Sequence, residues 1–322
     1  MPGLPRPITV PSRGSASGRG LRHPEPPKSS VTPVRRRETA AAWAYISPAV
    51  LIILGLGVVP VAWSLVLSFQ ADDLVTPSRW VGLDNYAALA QDPHFAQAVG
   101  NTVLYTVLYV PLSILFGFLL AQALNRRIRG VGVYRTLVFV PFVLSATAQG
   151  VLFSFILDPQ FGAANSVLHH LGVSPQGFLT DPGQALLVLV AITLWSGTGF
   201  CVVVYLAALQ DVPPSLVEAA RLDGAGTWRV LRHVTLPAVT PVTAFLVVWQ
   251  LITSLQVFDL VYVTTKGGPL GSTTVIVYFV WEQAFKNFTA GYGAASAYVL
   301  ALALLAVVVV VRVLRRPGKA LR

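Results

Sequence analysis

The stretch DVPPSLVEAARLDGAGTWRVLRHVTLP, residues 211–237, lies between two long apolar runs, 185–209 and 239–263. Pro213 and Pro214 pre-set the backbone for the start of a helix, which the sequence carries to about Asp223. Gly224 and Gly226 allow a sharp turn, because glycine takes left-handed backbone angles at little cost. A second short helix is expected from about Thr227 to His233, ended by Pro237 before the next apolar run. The reading is a helical hairpin between two membrane spans. Ala219 and Ala220 are small enough for a partner's surface to approach the backbone, and Glu218 and Arg221 offer charges at that contact. The same residues also fit an amphipathic loop resting on headgroups, and physics alone leaves the two readings level.

The rest of the chain sets the hairpin in a membrane. Of 322 residues, 54% are hydrophobic and 11% charged, and the mean hydropathy is +0.67. A soluble domain carries about 25% charged residues, so these charges could not cover a water-facing surface. Lipid needs no such cover. The composition excludes a soluble enzyme, a secreted module and a disordered regulator. Six apolar stretches, near 42–69, 98–124, 133–157, 185–209, 239–263 and 291–313, reach the roughly 20 residues that cross a bilayer. A seventh, Thr273–Phe285, is too short and is expected to lie on the surface or dip partly in. Pro60 and Pro111 fall inside the first two spans, where prolines kink helices. Cys201, the single cysteine, allows no disulfide within the chain and reads as a small packing residue.

Charge then sets orientation. The formal net charge is +10. Twenty of the 23 Lys and Arg fall in the two ends and the even-numbered connections, three in the odd ones (Arg79, Lys266, Lys286). Asp72, Asp73, Asp84, Asp92, Asp158, Asp181 and Glu282 collect on that second side. Positive residues stay on the cytoplasmic side, so both termini are expected there. The basicity is then a topology signal and no nucleic-acid partner is needed. Residues 1–39, rich in Pro, Ser, Gly and Arg, read as a disordered basic tail. The apolar stretch from Ala40 to Phe69 is too long for a signal-peptide core of roughly 7–15 residues. The six-span unit is placed at 40–316 and a cytoplasmic end at 317–322.

Glu218-Ala219-Ala220, three residues, Gly224, nine residues, Val234, one residue, then Leu236-Pro237 resembles the EAA motif of permease subunits in binding-protein-dependent ABC importers, with Val234 where isoleucine is common. Ser47-Pro48, Pro60, Ser68-Phe69, Asn101-Thr102, the turn Thr265-Lys266-Gly267-Gly268-Pro269 and Tyr292-Gly293-Ala294-Ala295-Ser296-Ala297 resemble the carbohydrate branch, which includes the maltose and glycerol-3-phosphate permeases. The resemblance covers about residues 40–315. The maltose subunit carries extra N-terminal spans and a large external domain; this chain resembles the shorter six-span type.

The resemblance implies an all-α membrane protein of the type I importer permease fold, working as one of a pair of permeases in the cytoplasmic membrane. Two ABC ATPase subunits would hold ATP and Mg, an extracytoplasmic solute-binding protein would deliver a sugar or related solute, and this chain would bind no cofactor. Glu218, Ala219, Ala220, Arg221, Asp223, Gly224, Leu236 and Pro237 would form the coupling hairpin seated in the ATPase. The chain has neither a phosphate-binding Gly-x-x-x-x-Gly-Lys-Ser/Thr loop nor a His-Glu-x-x-His zinc pair, and no catalytic residue is assigned. Adjacent His169 and His170 do not share a helical face, which argues against a metal site.

Polar groups within spans are costly in lipid and usually face a cavity. Gln256 and Asp259 stand out, and the resemblance to the maltose permease adds Phe258. Asp259 could instead clasp Lys266. Trp195 and Tyr205 are further path candidates, with Tyr105, Tyr109, Gln149 and Trp249 behind them. Gly197-Thr198-Gly199 reads as close helix packing. Two alternatives differ in class: a permease for a non-sugar solute, and an integral membrane enzyme, which would need reactive side chains clustered at one depth.

Overall fold

In the computed structural model the described residues are 33–73, 75–126 and 129–314. Most of the tail placed at 1–39 and the end placed at 317–322 lie outside them. The chain divides into two units, Met1–Gly57 and Val58–Arg322. The first holds α1 (Pro33–Ile52) and a π-helical stretch beginning at Ile53. Residues 33–39, expected in the tail, are therefore helical. The second unit opens with α2 (Val59–Leu67), which has Pro60 at its start, straight after the π-helical stretch.

Four helices are long and apolar enough to cross a membrane: Ala41–Leu67, Pro93–Leu124, Ala185–Gln210 and Thr227–Val263. A bent pair, α5 (Val131–Val143) and α6 (Ala146–Ile156), makes a fifth crossing if taken as one span. The last helix, Ala290–Leu314, is apolar over Ala290–Ala306.

Three expectations change. The run 133–157 is two helices bent by 99°. Pro141 lies close to the end of the first, Ser145 caps the second by accepting from the Ala148 N–H, and Gln149 Nε2 donates to the carbonyls of Pro141 and Leu144. The break persists because one side chain satisfies the carbonyls it exposes. Pro237 does not end a helix. After α9 (Pro214–Leu222) and α10 (Thr227–Val230), the π segment Leu231–Thr235 leads straight into α11 (Leu236–Leu255), with Pro237 in its first turn. That span breaks later, at 256–258, before α12 (Asp259–Val263). Pro111, by contrast, leaves α4 (Pro93–Leu124) one continuous helix.

α4 and α8 (Ala185–Gln210) form the central pair, with α5 against α8 and α11 against both. Their contact is close because small residues face large ones. A Cβ on Gly117 would fall on Cys201 Cβ, and one on Gly197 on the Tyr109 hydroxyl. Cys201 is fully buried there, so Gly197 and Cys201 both serve packing. The short helices α3 (Asp84–Gln91), α7 (Ala163–His170) and α13 (Ile276–Trp281) lie in the connections. Asn101 and Thr102 of α4 hold one connection: Asn101 Nδ2 donates to the carbonyls of Gly271 and Thr274, and Thr102 Oγ1 accepts from the Ile276 N–H at the start of α13. The turn so held contains Gly267, Gly268 and Pro269. Gly267 has φ +81°, and its carbonyl accepts from Thr274 Oγ1 at 3.1 Å.

Candidate functional site

Two sites emerge. The first is a cavity of about 200 Å³ where both helix breaks meet. Gln149 and Ala146 come from the α5–α6 break, and Gln256, Val257, Phe258 and Asp259 from the α11–α12 break. Thr193 and Ser196 of α8 and Thr253 and Ser254 of α11 add hydroxyls. Tyr105 and Tyr109 form the wall from α4 and are hydrogen-bonded away from ionic partners: Tyr105 donates to Thr193 Oγ1 at 2.7 Å, and Tyr109 accepts from Gln250 Nε2 at 2.9 Å. Unwound backbone at membrane depth is tolerated where it lines a cavity, so the break at 256–258 and the cavity explain each other.

The structure brings Gln256, Phe258 and Asp259 together, with Tyr105, Tyr109 and Gln149. Asp259 does not clasp Lys266; among the described residues the recorded ion pair is Lys286 with Glu282. Trp195 stands beside the cavity, edge-on to Phe153, and is not in its lining. Tyr205 lies elsewhere, in the apolar cluster around Cys201 and Leu246, bonded to Thr243. Thr193, Ser196, Gln250, Thr253 and Ser254 do not stand out in the sequence. Their signal is spacing: Gln250, Thr253 and Ser254, like Thr193 and Ser196, fall three or four apart on one helical face.

Next to this cavity stands an aromatic row, half-buried at Phe200 and exposed elsewhere. Phe139 and Phe142 of α5, Phe200 of α8 and Trp249 and Phe245 of α11 follow one another with ring centroids 5.5–6.1 Å apart. Thr253 Oγ1 donates to the Trp249 carbonyl, placing the row on the turn adjoining the cavity.

The second site is the hairpin. Its first arm ends in a Schellman cap: the Ala225 N–H donates to the Ala220 carbonyl and the Gly224 N–H to the Arg221 carbonyl. That cap requires the φ of +79° that Gly224 adopts. Gly226 has φ −68° and extended ψ, so only one of the two glycines is needed for the turn. Glu218, Ala219, Arg221, Asp223, Gly224, Leu236 and Pro237 are exposed and Ala220 half-buried. Leu222 and Trp228, which no sequence motif marks, are 90% and 68% exposed. Two large apolar side chains are thus uncovered on this two-helix projection.

Residues 113–316 match the family of binding-protein-dependent transport system inner membrane components. The chain belongs to that family. The permease is 35% identical over 283 residues, 85% of this chain and 93% of the relative, to the lactose transport system permease protein LacF of Rhizobium radiobacter. It is 32% identical over 273 residues, 84% of this chain and 89% of the relative, to the sulfoquinovosyl glycerol transport system permease protein SmoG of Agrobacterium fabrum. A solved bacterial alginate ABC transporter, in complex with an alginate pentasaccharide-bound periplasmic protein, matches with a TM-score of 0.79 at 25% identity, covering 88% of this chain and 96% of that one. The permease is thus a membrane-embedded transport component of an ABC importer rather than an enzyme.

Proposed function

We propose that the permease carries a sugar or sugar-like solute inward across the cytoplasmic membrane, as one of two permease subunits above an ABC ATPase dimer. The observation that carries this is the likeness, along most of the chain, to permeases named for lactose and sulfoquinovosyl glycerol. The likeness to an alginate transporter solved with its periplasmic protein supports a solute-binding protein as the delivering partner. The chain spans the membrane six times, the bent pair α5–α6 and the last helix each counting as one crossing, with both termini cytoplasmic. The skew of 20 cations against three supports that orientation.

The solute passes through the polar cavity at the two helix breaks. Gln149, Gln256 and Asp259 meet its hydroxyls, and the adjoining aromatic row offers ring faces to its C–H surfaces. The hairpin is the lever. Leu222 and Trp228 flank Gly224 on the surface that seats in the ATPase, where ATP and Mg are held, and closure of the ATPase dimer moves hairpin and spans together between two states.

Purification of the tagged chain from native membranes in mild detergent tests the assembly. An ATPase, a second permease and a solute-binding lipoprotein should co-purify, and the binding protein should bind a carbohydrate. Recovery alone or with biosynthetic enzymes overturns the reading. Selective binding of amino acids or phosphate by the binding protein overturns the solute class.

A further inference from the structure

A second cavity, of about 540 Å³, lies between the hairpin and the bundle, apart from the transport cavity. Gln122 of α4, Asn125 just past its end and Gln210 of α8 form its floor; Glu218, Arg221 and Thr227 of the hairpin form its roof. Oε1 of Gln122 is buried and accepts no hydrogen bond, although buried polar atoms almost always find a partner. Glu218 and Arg221 stand one helical turn apart without pairing with each other or with any described residue. Val217 and Leu231 add apolar surface between them.

This lining has spare donors and acceptors on both faces and no net charge. Amides, hydroxyls and short apolar patches suit a molecule that alternates hydroxyls with C–H faces. The volume falls in the range of about 300–1,000 Å³ typical of small-molecule sites. We propose that this cavity binds a neutral, hydroxyl-rich small molecule from the cytoplasmic side, of the same class that the permease imports. An occupant bonded to both floor and roof favours whichever of the two transport states holds this cavity open. Accumulated solute therefore slows its own import. The proposal rests on the sugar-importer reading and on the cytoplasmic placement of the hairpin.

The test uses the whole importer in inside-out vesicles, with Thr227→Cys as reporter and Asn125→Cys as a second. Cys201, the single native cysteine, is fully buried and stays silent. Lactose and trehalose are the probes, and glycerol 3-phosphate is the charged control. The sugars should slow maleimide labelling of either reporter several-fold, leave Ser215→Cys unprotected, and lose their effect when Gln122→Leu is added. In right-side-out vesicles, lactose loaded inside should slow uptake by the otherwise native complex, and Gln122→Leu should relieve that without changing the rate of unloaded vesicles. A complex that imports the sugars but shows no protection, or whose protection survives Gln122→Leu, overturns the site. A complex that imports neither sugar nor any other carbohydrate overturns the reading beneath it.

Discussion

The hydroxyl of Tyr292 donates to Oδ2 of Asp92 at 2.7 Å, across 200 residues of sequence. Asp92 is also the N-cap of α4, its Oδ1 accepting from the His94 N–H at 2.7 Å. One carboxylate thus joins the start of α4 to the start of the last helix, Ala290–Leu314. Partial burial pushes its pKa up, but the bonds from Tyr292 and the His94 backbone outweigh this and hold the carboxyl below its ordinary value of 3.8.

A double-mutant cycle follows from that pair. Asp92→Asn and Tyr292→Phe should each lower thermal stability in detergent, with a coupling of about 1 kcal/mol after allowance for solvent screening. The sign is set by the depressed carboxyl: its contribution is complete above the ordinary carboxylate value and is lost as pH falls through the lower native one. Coupling that is absent at pH 7, or that grows on acidification, contradicts the assignment.

The two hairpin glycines should separate cleanly. Gly224 has φ +79° with no atom near the position a methyl group would take, so Gly224→Ala meets open space and strains only the backbone, by about 1–2 kcal/mol. Gly226 already has an ordinary negative φ. Gly224→Val should therefore abolish uptake while the chain still inserts and keeps its spans, and Gly226→Ala should leave uptake near the native rate. Equal loss in both variants would remove the case for a turn tuned by Gly224.

The same contrast shows what could be read from sequence. The spans 98–124 and 185–209 are legible because hydropathy alone marks them, and the hairpin because prolines and glycines punctuate it. The 99° bend between α5 and α6 is invisible to hydropathy, since 133–157 stays apolar throughout; it depends on Gln149 reaching back to two carbonyls. Within the site, Gln256 and Asp259 stand out as large polar groups in an apolar run. Thr193 and Ser196 do not, because each hydroxyl satisfies itself on a carbonyl one turn back and costs the span little. The acidic bias outside the membrane, read as topology, also has a local cause: Asp73, Asp92, Asp158 and Asp181 each accept backbone N–H bonds two or three residues ahead.

Packing at the centre predicts a suppressor. A methyl group at Gly117 would coincide with Cys201 Cβ, where neither α4 nor α8 can yield without losing the rest of its seam. Gly117→Ala should cost about 1–3 kcal/mol, read as a lower unfolding temperature. Cys201→Gly should recover part of that loss in the double variant although it weakens the native protein. Additive losses would mean that the two helices do not meet at this point.

The cavity at the helix breaks should show itself in substrate dependence rather than stability. Gln256 and Asp259 are exposed to the cavity and hold no side-chain partner among the described residues, so Gln256→Ala and Asp259→Asn remove nothing that supports the spans. Gln149 is different: it is 6% exposed and satisfies two carbonyls. Loss of one hydrogen bond to a solute hydroxyl is worth about 1 kcal/mol, close to fivefold in rate. With saturating binding protein, Gln256→Ala and Asp259→Asn should cut uptake by about that factor at unchanged unfolding temperature. Gln149→Leu should lower uptake and unfolding temperature together, because it removes the side-chain donor to the Leu144 carbonyl and one of the two donors to that of Pro141. Native uptake in both Gln256→Ala and Asp259→Asn would place the solute's path elsewhere.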